Sequence, residues 1–108
     1  MAERFLQVAT TIDSAAAAAA LARGLVEARL AACVQVVGPI ASTYRWKGTV
    51  ETAQEWLCLA KTTAGRYPAL AAHVRANHPY ETPELTATPI TDGGADYLAW
   101  IAEATAEG

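Results

Sequence analysis

Clusters of Lys and Arg are missing from this chain of 108 residues, in which 8 basic side chains are scattered among 11 acidic ones for a net charge of −3. A nucleic-acid binder needs a basic patch to displace counterions from phosphates, so that class is excluded. Cysteine is scarce too. Cys33 and Cys58 form no CxxC motif, which removes the dithiol-redox and zinc-ribbon readings. The opening "MAERF" lacks a basic region followed by an apolar run, so no secretory signal is expected. The Ala15–Ala20 tract is weakly hydrophobic, and Arg23, Glu27 and Arg29 follow too early for the ~20 apolar residues of a membrane span. These absences predict a soluble, cytoplasmic protein with no membrane partner. A phosphate-cradling loop is also lacking, because Asp92–Gly93–Gly94 has no Lys or Ser/Thr sequel and reads as a turn.

What is present suits one compact domain over 1–108, with 53% hydrophobic and 18% charged residues. "RFLQVATTI" reads as a first strand. Asp13 or Ser14 then caps a helix whose buried face runs through Leu21, Leu25 and Ala28, with Arg23 and Glu27 towards water. "AACVQVV" is a second strand, stopped or bulged at Gly38–Pro39. From Ile40 to Thr62 the pattern is a long hairpin turning at Lys47–Gly48. A second helix follows Gly65 and Pro68, buries Leu70, Ala71 and Val74, and ends by Asn77 because Pro79 biases His78 to an extended backbone. "PELTATPI" is a fourth strand, and Tyr97, Leu98, Ile101 and Ala104 form the stripe of a final helix. The order β-α-β-β-α-β-α predicts an α+β, ferredoxin-like fold: an antiparallel sheet, a long central hairpin and a C-terminal helix.

Simple pairing about the Lys47–Gly48 turn sets Cys33 opposite Thr62. Cys58 then lies roughly 13 Å away at strand rise, beyond the ~7 Å limit of a disulfide. Two free, buried thiols are expected. Helices cover one face of such a sheet, yet "WLCLA" and "AACVQVV" are apolar or nearly so on both parities. One short C-terminal helix covers only part of a second face, so association with further copies of the chain is expected.

The stretch "ANHPYETPEL" concentrates the candidate chemistry. His73 and His78 are five apart, about 140° around a helix, and do not make a chelating pair. In an extended chain His78, Tyr80, Thr82 and Glu84 project to one side and Glu81 to the other. His78 and Glu84 offer two donors, short of the three or four that a zinc site needs, so the rest would come from a neighbouring subunit or water. Lys61 shares a parity with Glu55, Leu57 and Leu59, and a half-buried lysine calls for a carboxylate such as Glu84, Glu81 or Glu55. Trp46, Trp56, Tyr44 and Tyr80 read as core or interface aromatics. No nucleophile–base set is present, so no catalytic residue is assigned and the chain is not read as an enzyme.

Taken together, "LVEARLAACVQVV", "STYRWKGTVE", "EWLCLAKTT", "HPYETPELTATPI" and "DYLAWI" resemble the CutA family of divalent-cation tolerance proteins, from about Phe5 to Thr105. The resemblance implies a ferredoxin-like subunit in a homotrimer, related in fold to PII-type signalling proteins, and a role in tolerance to copper(II) or another divalent cation. No organic cofactor is implied. The family's copper ligands, a cysteine and two consecutive histidines, fall by position at Ala9, Asn77 and His78, so only His78 carries over as a metal ligand. Tyr44, Trp46, Glu55, Lys61, Tyr80 and Glu84 are the candidates for an intersubunit cleft. Weak metal binding at an intersubunit site containing His78 is the leading expectation. The competing one is a PII-like signalling or scaffold trimer that takes a small anionic ligand in the cleft, and an enzyme built on a Lys61–Glu84 pair is a third.

Overall fold

A computed structural model describes residues 4–107; Met1–Glu3, where no secretory signal is expected, and Gly108 lie outside the described residues. The elements follow the expected order: β1 (Phe5–Ile12), α1 (Ala15–Glu27), β2 (Cys33–Trp46), β3 (Thr49–Thr63), α2 (Tyr67–Asn77), β4 (Thr86–Ile90) and α3 (Ala95–Ala104). The four strands form one antiparallel sheet in the order β2-β3-β1-β4, the ferredoxin-like arrangement. No described helix is long and apolar enough to cross a membrane.

Ser14 begins α1 from an extended backbone, and its hydroxyl accepts from the Ala17 N–H at 3.0 Å. Removing such a cap costs about 1 kcal/mol. The helix ends in a Schellman motif: Arg29 N–H donates to Val26 O at 3.0 Å and Leu30 N–H to Leu25 O at 2.9 Å. Arg29 occupies the left-handed position with φ 60°, where glycine is the usual residue. Ala28, expected on the buried face, is instead the exposed C-cap, because the chain turns there.

Alternation on β1 and β3 sends Val8, Ile12, Cys58 and Ala60 beneath the helices. They pack with Leu21 and Leu25 of α1 and Leu70 and Val74 of α2. Each of these eight side chains is at most 4% exposed, so the part of this face beneath α1 and α2 is closed within one chain, while Val36 at the β2 edge stays 41% exposed. Thr62 adds a buried tie, its hydroxyl donating to Leu30 O at 2.7 Å. On the other face Leu57 and Leu59 are half-buried and Val37 is exposed. α3 covers only part of it, and Ile101 is the one residue of its expected stripe that is buried. Tyr97 is exposed at 44% and reaches the sheet by its hydroxyl, 3.4 Å from the Cys33 sulfur.

Gly38–Pro39 bulges β2 without stopping it. Residues 40–46 pair with 49–55 in the simple register, Ile40 opposite Glu55 and Tyr44 opposite Glu51. Below the bulge the register slips by one, so Cys33 faces Lys61 and not Thr62 as expected. A one-residue slip turns side chains to the opposite face. Val34 thereby joins the helix-covered core, while Ile40, Ser42, Tyr44 and Trp46 share a face with Glu55. Gly38 sits at the switch because a Cβ there would come within 2.4 Å of the Trp56 ring. The slip also places Cys33 on the face opposite Cys58. Both thiols are free, but only Cys58 is buried and Cys33 is half-exposed.

β4 begins at Thr86, later than expected, because Pro83, Glu84 and Leu85 belong to the connection from α2. Pro83 has no N–H to give a strand ladder, and residues 78–85 run as bends over the end of β1. At the hairpin tip Lys47 and Gly48 both take positive φ, 50° and 83°, as a two-residue turn matched to strand twist requires.

Candidate functional site

The hairpin limb at residues 42–46, Thr11, Glu55 and residues 80–84 line a half-open cavity of about 780 Å³. Five of the six cleft candidates, Tyr44, Trp46, Glu55, Tyr80 and Glu84, line it together. Glu81 does too, although an extended chain would have sent it the other way; the bends of the loop bring both parities to one side. Lys61 is not among the lining residues. It lies six residues along β3 from Glu55, and its ammonium donates to Gln35 Oε1 at 2.8 Å. The carboxylate partner expected for Lys61 is therefore absent among the described residues, and a Lys61–Glu84 pair does not form.

Glu55 is the chemically unusual member. It is 6% exposed, and among the described residues no Lys, Arg or His lies within ion-pairing distance of it. Its carboxylate accepts a hydrogen bond from the Tyr80 hydroxyl at 2.7 Å. Burial first, then that bond and the Glu55 charge, push the Tyr80 phenol well above the ordinary tyrosine value. Tyr80 is thus held as a neutral donor. Sequence spacing does not reveal this pairing, because 25 residues separate the partners.

His78 is held by the protein at both ring nitrogens. Nδ1 accepts from the Tyr80 N–H at 3.1 Å, so Nε2 carries the proton that it donates to Thr11 O at 2.7 Å. The ring also packs against Tyr80, with centroids 4.7 Å apart. His78 therefore pins the 78–85 loop to the end of β1 and sets the Tyr80 backbone from which the hydroxyl reaches Glu55. Asn77 turns back on its own helix, donating to His73 O at 2.8 Å, and Ala9 has no donor atom. Among the described residues no group of three or more His, Cys, Asp or Glu is placed to hold a metal ion. The donors within one folded subunit do not fit a copper site.

At the cavity rim Lys47 lies 3.8 Å from the Glu81 carboxylate and 5.6 Å from the centroid of the Trp46 ring. The guanidinium of Arg45 reaches the Gly48 carbonyl at 3.5 Å. Three carboxylates against one arginine leave the lining acidic.

Comparison with known proteins gives a consistent result. The family model described as CutA1 divalent ion tolerance protein matches residues 6–104. The divalent-cation tolerance protein CutA of Thermus thermophilus is 47% identical over 98 residues, which are 91% of this chain and 95% of that protein. Its solved structure superposes with a TM-score of 0.92 over 94% of this chain and 99% of that one, at 45% identity. The CutA1 structure from Oryza sativa gives a TM-score of 0.94 at 39% identity, covering 97% and 96% of the two chains. Human CutA is 45% identical over 85 residues, and the match spans 48% of its length.

Proposed function

The chain belongs to the CutA1 family of divalent ion tolerance proteins, and from that premise we propose that it serves divalent-cation tolerance as a homotrimer. Copper(II) or another divalent cation is its inorganic ligand, and no catalysis or organic cofactor is assigned. The near full-length match to a bacterial protein bearing that name carries the reading. Self-association is supported by the apolar side chains that one chain leaves open on the hairpin and α3, among them Val37, Val50 and Trp100. In the trimer the cavity lined by Tyr44, Trp46, Glu55, Tyr80 and Glu84 becomes part of an intersubunit cleft, with Lys61 at a neighbour's edge.

Ligation of a metal by His78 demands that the ring release Thr11 O or the Tyr80 N–H. The remaining donors then come from a neighbouring subunit or water, so binding at this position is weak. The PII-like alternative, a small anion in the cleft, draws no support from a lining with three carboxylates. Cytoplasmic residence belongs to the same proposal and agrees with two free thiols.

A strain deleted for the gene tests the function. Its growth limit in copper(II) falls and is restored by the gene in trans. An unchanged limit across copper, zinc and other divalent ions contradicts the reading. Copper titration of the metal-free protein beside a His78→Ala variant tests the ligand: lost binding keeps His78, and equal binding removes it.

A further inference from the structure

We draw no further inference here: the strongest candidate, the apolar patch along the β2 edge where Val36 on one face of the sheet and Val37 on the other stay exposed, is unpartnered, and nothing in the structure shows what covers it beyond the further copies of the chain already proposed.

Discussion

Beneath α1 and α2, Val8, Ile12, Cys58 and Ala60 are sealed against Leu21, Leu25, Leu70 and Val74, whereas along the hairpin Val37, Tyr44, Trp46 and Val50 keep 38–60% of their surface open. The first region is closed by apolar burial within one chain. The second is knitted by polar ties, His78 to Thr11 and to Tyr80 and Tyr80 to Glu55, around a cavity. The contrast teaches where each kind of energy is spent. Burial sustains the fold, and the hydrogen-bonded loop shapes a site that association with other copies would complete.

Breaking the closed region gives the largest effect. Leu70 is fully buried in the core cluster, and Leu70→Ala should cost about 2–5 kcal/mol in denaturant unfolding. A loss below that range would mean that the core carries less of the stability than described. Gly38 lies at the hinge between the regions. Gly38→Ala drives a methyl group into the Trp56 ring and should cost about 1–3 kcal/mol, with changed amide shifts both at Cys33–Val37 and along the hairpin. Shifts confined to one side would argue against the bulge as the joint.

The loop is probed by His78→Ala, which strands the Tyr80 N–H and the Thr11 carbonyl. A loss of about 1–3 kcal/mol is expected, with faster hydrogen exchange at the Tyr80 amide. Unaltered protection there would show that His78 is not the pin. The smallest effect is a gain. Arg29→Gly relieves the left-handed position that closes α1 and should raise stability by about 0.5–1 kcal/mol, seen as a higher thermal midpoint. A drop would show that the arginine side chain contributes more than its backbone costs.

Much of the closed region is legible in the sequence because burial leaves a period. Leu70, Ala71 and Val74 mark one face of α2, and Pro79 marks its end. Local chemistry is legible as well, in the Ser14 cap and the Lys47–Gly48 turn. The final helix is less so: Tyr97 fits an apolar stripe by spacing, yet it stays exposed because α3 meets the sheet mainly through Ile101. What spacing does not reveal is the register slip at Gly38–Pro39, since the pattern permits a stop or a bulge equally. From that slip follow the Cys33–Lys61 pairing and the placing of Cys33 on the face opposite Cys58, whereas Tyr44 and Trp46 share a face with Glu55 in the simple register. The partner of Lys61 is missed for a related reason. A search for opposite charge passes over Gln35, which lies two residues along β2 from the residue paired with Lys61. His78 stands out by its neighbours in the sequence, but only its two hydrogen bonds reveal a structural pin.

The central claim is that the open region is closed by further copies of the chain, and the native mass in solution tests it most directly. Multi-angle light scattering at micromolar concentration should return three times the chain mass, with Tyr44 and Trp46 protected from solvent in the assembled protein. A well-folded species of single-chain mass, its hairpin side chains freely accessible, would contradict the account.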